Sequence, residues 1–375
     1  MRIGFDGKRA ARNFTGLGNY SRYILRVLST YFPNHTYYLY SEKEPARAGL
    51  IDPGILLSKP KNKNLTFGWR SYGIIKDLQK DNIDLYHGLS NEIPFGIDKT
   101  DIPSIVTIHD LIFLRFPQYY NFIDRLIYRI KFKYACKNAD KIIAVSEQTK
   151  RDIIEFFRIA PDKIKVIYQS CAPEFKQSTS GREQEISEKY QLPEKFVLNV
   201  GSIEERKNIL VVVKALKKVG ENIHLVIVGK ETKYAHQVKK YIAENGLETS
   251  IHILNNVPFT DLPTIYRLAH VFIYPSRFEG FGIPILEALQ SGIPVIAATG
   301  SCLEEAGGPN SIYVDPESVD GFAKAINKVI GDVELSAKMI KDGYEYAKRF
   351  DDHVIAIQLS DLYKETLNNA QTRNR

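Results

Sequence analysis

The chain has 375 residues, of which 44% are hydrophobic and 25% charged, and this composition is typical of a globular protein with two or three domains of roughly 150 residues. The three cysteines are too few for a disulfide framework or a metal cluster, no apolar run approaches the ~18 residues that span a bilayer, and the N-terminus lacks the apolar segment of a secretory signal, so we expect a cytoplasmic protein. The net charge of the whole chain is +7. The excess of positive charge lies in residues 1–190, where 30 lysines and arginines against 21 aspartates and glutamates give +9. This excess indicates either an anionic partner or an ordinary solvated basic surface.

The first half of the chain alternates short apolar runs with helical patterns. After the first run, Tyr20, Tyr23, Ile24, Val27, Leu28 and Tyr31 recur at the spacing of one helix face. The apolar runs are predicted as buried parallel strands at 2–6, 36–41, 83–88, 104–110, 141–146 and 163–169.

The segment 122–138 combines apolar and aromatic residues with a basic face. Its cations are Arg125, Arg129, Lys131, Lys133 and Lys137. One interpretation is an ordinary amphipathic helix that covers the sheet. The other is a peripheral contact with an anionic membrane surface.

The composition changes between about 171 and 194, where the chain becomes polar and is bracketed by prolines, as is typical of an interdomain linker. A second alternating series follows. Its strands are predicted at 196–201, 224–229, 251–255, 271–276, 294–299 and 311–316, and 334–366 has a helical pattern. Two such series predict two doubly wound α/β domains that face a cleft, with ligands outside the carboxyl ends of the strands.

The stretch FEGFGIPILEALQ follows one of these strand ends. Gly282 permits unusual backbone angles, Pro284 suits the first turn of a helix, and the helix should run to about Gln290. Its first amides would form a phosphate site. Glu279 and Glu287 would then accept hydrogen bonds from the hydroxyls of flanking rings, as in a sugar nucleotide. Alternatively, Glu279 is a helix-start acid and Glu287 a surface residue.

A second strand end supports a phosphate site. The strand VLNVG precedes Arg206 and Lys207, at the predicted start of the next helix. Cations are unfavourable at a helix start, so an anionic ligand would explain them. The alternative is a pair of solvated surface cations.

Other signals weigh less. The stretch GLGNYS fails as a dinucleotide fingerprint, because Ser21 stands where the third glycine belongs. His109 and His87 both end predicted strands, where a lone histidine is more often structural. No Asp-x-Asp and no cluster with metal-ligand spacing occurs in the sequence, so we expect chemistry without a metal ion or a cofactor.

Together these motifs resemble those of the family 4 retaining glycosyltransferases, which have the GT-B fold. EGFGIPILE resembles that family's E-x7-E motif and VGSIEERKN its phosphate-binding basic motif. FTGLGNYSRYI resembles its N-terminal glycine loop, TIHDL its first-domain histidine segment, KIIAVSEQTKRDI the strand and helix that follow, and SCLEEAGGPNSIYVDP the segment after the E-x7-E helix. The resemblance covers essentially the whole chain in the expected order.

The resemblance implies roles in the second domain. Glu279 would contact hydroxyls of the transferred sugar, and Glu287 would hold the nucleotide ribose. Arg206 and Lys207 would bind the diphosphate and support the leaving group. The amides of Gly282 and Ile283 would assist at the phosphate or the sugar.

It also implies roles elsewhere in the chain. Gly16 and Gly18 would let the N-terminal loop approach the donor closely. His109 would bind the donor sugar near the reaction centre, and Val257 would lie near the base. The implied domains are an N-terminal acceptor-binding Rossmann-like domain at 1–175, a linker at 176–194, a nucleotide-sugar-binding Rossmann-like domain at 195–345, and final helices at 346–375 that return to the first domain.

Two departures from the family pattern affect the implied site. Ser202 stands where many members have arginine, so phosphate neutralisation would rest on Arg206 and Lys207. The stretch VIYQSCAPEF replaces the more usual linker entry that contains Asn-Gly, which puts the backbone contacts there in doubt.

We therefore expect a retaining glycosyltransferase that moves a hexose from a nucleotide sugar, GDP-mannose before a UDP-hexose, to a glycan or lipid-linked acceptor of cell-surface polysaccharide synthesis. It would act in the cytoplasm, at the inner face of the cell membrane if segment 122–138 binds lipid. The alternatives are a glycoside phosphorylase or synthase on the same fold, a nucleic-acid-binding protein, and a catalytically silent homologue. The absence of RNA-binding motifs disfavours nucleic acid as a partner.

Overall fold

The computed structural model describes residues 1–60, 68–176, 181–220 and 222–373, with side chains through residue 372. These residues form two compact units. The first unit contains Met1–Gln169 and Phe350–Arg375, and the second contains Ser170–Arg349.

The first unit is built on a seven-stranded parallel sheet with the order β3-β2-β1-β4-β5-β6-β7. The strands are β1 Arg2–Asp6, β2 Thr36–Tyr40, β3 Leu56–Ser58, β4 Leu85–Gly88, β5 Ser104–Ile108, β6 Lys141–Ala144 and β7 Ile164–Val166. The six predicted strands are confirmed, and β3 was missed. Strand order reverses between β1 and β4, which is where a doubly wound sheet opens a ligand crevice.

Helices cover the faces of this sheet. They are α1 Lys8–Arg12, α2 Gly16–Tyr31, α3 Ile74–Lys80, α4 Ile112–Arg115, α5 Phe122–Asn138 and α6 Glu147–Phe157, with a π-helical turn at Trp69–Gly73 before α3. The predicted face of α2 is buried from Tyr20 to Leu28, and Tyr31 lies exposed at its end. Helix α5 begins at a cap in which the Asn121 side chain accepts from the Asp124 amide.

The second unit is built on a six-stranded parallel sheet with the order β10-β9-β8-β11-β12-β13. Its strands, all of them predicted, are β8 Phe196–Val200, β9 His224–Val228, β10 Ile251–Leu254, β11 Val271–Tyr274, β12 Val295–Ala298 and β13 Ile312–Val314. Its helices are α7 Glu183–Tyr190, α8 Ile209–Leu216, α9 Ala235–Glu244, α10 Leu262–Leu268, α11 Ile283–Gln290, α12 Leu303–Gly307, α13 Val319–Gly331 and α14 Val333–Ala347. Here the strand order reverses between β8 and β11.

The chain passes between the units after Gln169 and again after Arg349. Of the predicted linker, 177–180 lie outside the described residues, and the later part contains α7, which belongs to the second unit. The last helix, α15 Asp352–Arg373, belongs to the first unit, where Asp352 pairs with Arg26 at 2.9 Å and Tyr363 bonds His87 at 2.7 Å. Within the described ranges, no helix has the length and apolarity needed to cross a membrane.

Candidate functional site

The loop between β11 and α11 is shaped by a glycine and a buried thiol. Gly282 has φ 117°, a conformation that favours glycine, and a Cβ there would lie 3.1 Å from the Leu303 Cδ2 atom. The Cys302 thiol lies 3.0 Å from the carbonyl oxygen of Glu279 and 3.1 Å from that of Phe281. With Pro284 in its first turn, α11 then runs from Ile283 to Gln290, as predicted.

Glu279 lies at the centre of a charged cluster at the carboxyl end of β11. Its Oε1 atom is 2.9 Å from Arg206 Nη1 and 3.0 Å from Lys207 Nζ. The same oxygen accepts from the Ser276 hydroxyl at 2.8 Å and from the Tyr274 hydroxyl at 3.2 Å. Burial alone would raise the pKa of Glu279, but Lys207 and Arg206 outweigh it and lower the pKa to about 2. Glu279 is therefore a carboxylate at any physiological pH.

Arg206 and Lys207 lie on a 3-10 turn, Glu205–Lys207, and Asn208 separates them from α8. Both side chains are mostly buried. Burial would lower the pKa of each, but the Glu279 carboxylate raises both, so both remain cations. Lys207 Nζ also donates to the Tyr274 hydroxyl at 2.7 Å.

The backbone after β8 makes room for the lysine. Gly201 has φ 152°, and a Cβ there would lie 3.1 Å from Cδ of Lys207. Packing therefore already accounts for the glycine at 201, because any side chain at this position would press on the lysine stem.

Glu287 lies on α11 in a different environment. Its Oε2 atom accepts from the Tyr266 hydroxyl at 2.8 Å. Among the described residues, no lysine or arginine forms an ion pair with it. Burial therefore dominates and raises the pKa of Glu287 to about 7, although the Tyr266 hydrogen bond lowers it. The two motif glutamates thus differ in charge state near neutral pH.

The glycines of the N-terminal segment lie on α2 rather than in a loop. Gly16 is the first residue of α2, and a Cβ there would meet nothing within 4 Å. Gly18 lies in the first turn, where a Cβ would be 1.8 Å from the Asn13 carbonyl oxygen. Close packing inside the first unit therefore requires glycine at position 18. The approach of Gly16 and Gly18 to a donor stays a prediction.

His109 follows β5 and is neutral. Burial lowers the pKa of His109 to about 4, although the bond from its Nε2 atom to the Leu89 carbonyl oxygen, 2.8 Å long, raises it. Because a carbonyl oxygen accepts there, Nε2 carries the proton and Nδ1 keeps its lone pair. The Tyr20 ring of α2 meets the imidazole edge-on at 4.6 Å between centroids. His87 is fully buried between Thr107 and Tyr363, which fits its structural interpretation.

The remaining predicted residue, Val257, lies in the loop after β10, two strands away from β8. In the second unit the structure thus brings Glu279, Arg206 and Lys207 into contact. It places Ile283 and Glu287 on the adjoining helix α11, with Gly282 directly before it. In the described part of the chain, no group of three or more His, Cys, Asp or Glu side chains could hold a metal ion.

Segment 279–287 contacts four residues that were not predicted: Tyr274, Ser276, Tyr266 and Cys302. A signal was present for two of them. Both residues lie at the end of the strand predicted at 271–276, so both fall at the carboxyl edge of the sheet where ligands bind. Tyr266 lies on α10 and Cys302 directly precedes α12, and local spacing does not indicate contacts with such distant segments.

Two family models match the chain. The model of the Glycosyltransferase Family 4 domain matches residues 16–174, and the model of the Glycosyl transferases group 1 domain matches residues 182–346. The two matches are consecutive and fall on the first and second halves of the chain, in the order that the resemblance implied.

Curated relatives are similar along much of the chain. The O-antigen chain mannosyltransferase B of Escherichia coli is 28% identical over 286 residues, which is 75% of this chain and 74% of that protein. The O-antigen chain mannosyltransferase RfbU of Salmonella typhimurium is 28% identical over 246 residues, which is 66% of this chain and 65% of that protein.

A solved structure shows the same fold. HepE of Anabaena, in complex with UDP, superposes with a TM-score of 0.77 at 18% identity and covers 97% of this chain and 100% of its own. At this identity the likeness concerns the fold alone.

Proposed function

The chain belongs to the glycosyltransferases whose first half matches the Glycosyltransferase Family 4 domain and whose second half matches the group 1 domain, with the GT-B fold, and we propose that it moves a mannosyl group from a nucleotide-diphosphate sugar to a hydroxyl of a glycan or lipid-linked oligosaccharide. The transfer would keep the configuration at the anomeric carbon and would need no metal ion. The relatives named as mannosyltransferases support the choice of sugar.

One observation carries this proposal. Two mostly buried cations, Arg206 and Lys207, meet the first glutamate of the E-x7-E motif at the point where the strand order of the second sheet reverses. That point is where doubly wound sheets bind nucleotides. The amides that begin α11, Gly282 and Ile283, lie in the same loop region and suit a phosphate group.

In the proposed reaction the bond between the anomeric carbon and the diphosphate oxygen breaks, and the acceptor oxygen bonds to the same face of that carbon. The acceptor proton passes to the departing phosphate oxygen. Negative charge grows on the diphosphate as the bond breaks, and Arg206 and Lys207 would stabilise it. Fixed cations contribute most where charge develops in the transition state.

Hydroxyl groups of the donor would be held by acceptors. Glu279 would accept from the transferred sugar and Glu287 from the ribose. His109 would offer the lone pair of Nδ1 to the sugar, because its Nε2 proton is already bound to Leu89. Gly16 and Gly18 would border the donor, and Val257 would lie near the base.

A thermal-shift screen against GDP, UDP, ADP and their sugars tests the proposal. A ligand that binds the native state raises the melting temperature by mass action. We expect GDP and GDP-mannose to stabilise the protein most. A UDP-hexose preference would correct the donor, and no shift with any nucleoside diphosphate at millimolar concentration would contradict the proposal. Release of free nucleotide with mannosylated acceptor, rather than consumption of inorganic phosphate, separates a transferase from a phosphorylase.

We also propose that α5 rests on an anionic membrane surface, at the inner face of the cell membrane. Five large apolar side chains on it are exposed, at 73% for Phe122, 69% for Ile123 and 56% for Ile130, with Leu126 and Ile127 between them. They recur at helical spacing beside Arg125, Arg129, Lys133 and Lys137. An apolar stripe edged by cations fits a surface of acidic headgroups over acyl chains.

Flotation with vesicles that contain an anionic phospholipid tests this contact. We expect the wild-type chain to float at low salt and the double variant Ile123→Ser, Ile130→Ser to float less. The matched control is Val333→Ser on α14, which is 80% exposed in the other unit and should change nothing. Flotation that is equal in all three, or absent at low salt, would end this part of the proposal.

A further inference from the structure

Three aromatic rings stack beneath the two motif glutamates. Phe272 and Tyr274 lie two residues apart on β11 and so share a face of the strand. Their rings are 5.9 Å apart with an interplanar angle of 21°, and Tyr266 of α10 continues the stack at 5.3 Å and 28° from Phe272. All three residues are fully buried, so the stack is a fixed part of the core.

The hydroxyl groups at the two ends of this stack each bind one glutamate. Tyr274 donates to Oε1 of Glu279 at 3.2 Å, and Tyr266 donates to Oε2 of Glu287 at 2.8 Å. In each carboxylate, one oxygen accepts all the bonds from side chains. In Glu287 it is Oε2, which binds Tyr266. In Glu279 it is Oε1, which binds Arg206, Lys207, Ser276 and Tyr274. Within the described residues, the second oxygen of each glutamate makes no protein hydrogen bond.

We infer that Tyr266 and Tyr274 are positioning residues. Tyr266 fixes the rotation of the Glu287 carboxylate so that its Oε1 atom is available to donor hydroxyls. Tyr274 does the same for Oε2 of Glu279. This inference rests on the proposed function. A buried stack that ends in two hydroxyls sets the relative orientation of both acceptors, because the rings cannot turn independently in a packed core. The tyrosines themselves touch no donor.

The two tyrosines are not equivalent. Glu279 keeps three other donors if Tyr274 loses its hydroxyl. Glu287 has no other described donor, so its orientation depends on Tyr266. Of the charged and titratable side chains on the described elements packed against α11, Tyr266 is the one that acts on Glu287, and its bond lowers the pKa of that carboxyl. Removing the hydroxyl should therefore raise this pKa further.

The test compares Tyr266→Phe with Tyr274→Phe, which both retain the stacked ring. The first readout is the pH midpoint of Glu287 in the ligand-free protein, followed by carboxyl ¹³C NMR and assigned with Glu287→Gln. We expect Tyr266→Phe to move the midpoint upward by about one unit, the scale of a hydrogen bond to a charged group. Tyr274→Phe should leave it in place.

The second readout is donor binding by calorimetry with GDP-mannose. We expect Tyr266→Phe to weaken binding about tenfold at pH 7 and to raise KM more than it lowers kcat, since the ribose is held in ground and transition states alike. Tyr274→Phe should cost less than Tyr266→Phe. The matched control is Tyr190→Phe, which removes a tyrosine bond of 2.8 Å to the carboxylate of Asp261, outside the motif, and should change neither readout.

An unmoved Glu287 midpoint in Tyr266→Phe, or an equal change in Tyr190→Phe, would overturn the inference. These outcomes are separable from failure of the proposed function. The NMR titration needs no ligand. If the wild-type chain binds no nucleoside diphosphate, the proposed donor is contradicted, but the titration still tests whether Tyr266 acts on Glu287.

Discussion

The polar groups that follow β8 and β11 in the second unit differ from the histidines of β4 and β5 in the first unit, whereas at the end of β1 a buried Asp6 pairs with Arg70 at 2.6 Å. After β8 and β11 in the second unit, the polar groups are charged and bound to one another, with Arg206 and Lys207 both within 3.0 Å of Glu279. On β4 and just after β5 in the first unit, two buried histidines are neutral. His109 and His87 have pKa values lowered to about 4 and about 3 by burial, and their partners are Thr107, Tyr363 and a carbonyl oxygen.

The difference indicates a division of labour under the proposed function. Fixed charge is useful where a diphosphate is held and leaves. Neutral donors and acceptors are useful where hydroxyl groups are recognised, because they need not lose a strongly bound hydration shell. Inside the E-x7-E motif the two glutamates also differ in pKa, about 2 for Glu279 and about 7 for Glu287, although both would hold hydroxyl groups.

The largest expected effect comes from removing a cation of the charged cluster. Lys207→Ala should lower turnover roughly a hundredfold or more, the scale seen when one donor to a developing anion is lost. Lys207→Met keeps the stem that packs over Gly201 and should lose nearly as much. Initial rates with saturating donor give the measurement.

Lys214→Ala, on the exposed face of α8 in the same unit, is the control for loss of a positive charge and should retain wild-type turnover. If Lys207→Met keeps near-normal turnover, the lysine does not act on the leaving group, and the contrast between the two sheet ends loses its functional meaning.

The second effect concerns stability. Glu279→Gln removes the carboxylate that Lys207 and Arg206 share and should lower the free energy of unfolding by about 3 kcal/mol. The loss falls mainly on the buried Lys207, because Arg206 keeps Glu204 at 2.8 Å. The pKa of Glu279 is lowered when folded, so its contribution is present above the unfolded value of 4.5 and is lost as pH falls toward 2. Urea unfolding of the full chain measures it.

The difference between wild type and Glu279→Gln should therefore be constant from pH 7 to pH 5 and roughly halve by pH 3. Glu248→Gln, an exposed residue of the same unit, should differ from wild type by little at any pH. A difference in the Glu279 variant that grows toward acid would mean that the carboxylate is not held by its cations.

The positions of most strands and helices could be predicted from the sequence. Buried parallel strands are continuous apolar runs, and twelve of the thirteen strands in the described residues were predicted from them. The exception, β3, has three residues at the edge of the sheet, with Leu56 47% exposed, so it lacks the apolar signal of a buried strand. Arg206 and Lys207 were expected at a helix start and lie on a turn just before it, because Asn208 adopts φ 57° and delays the helix.

Contacts between residues that are far apart in the chain could not be predicted from the sequence. Gly282 and Pro284 indicated the start of α11 by local chemistry alone. Glu279 binds two cations because the 3-10 turn brings Arg206 and Lys207 beside the motif. Glu287 binds a tyrosine because α10 brings Tyr266 beside it. The opposite pKa shifts of the two glutamates follow from burial and partners, and neither is encoded by spacing.

The smallest expected effect sharpens the neutral side of the comparison. His109→Gln should lower kcat/KM about fivefold, the scale of one neutral hydrogen bond, because it removes the Nδ1 lone pair but can still donate to Leu89. Since the pKa of His109 is lowered to about 4, its ring stays uncharged above pH 5, and the variant's pH profile should run parallel to that of wild type from pH 5 to 9. His236→Gln, exposed on α9, is the control. A wild-type acid limb between pH 6 and 7 that vanishes in His109→Gln would show that His109 titrates during the reaction, and the first sheet end would then be a site of proton transfer rather than of neutral recognition.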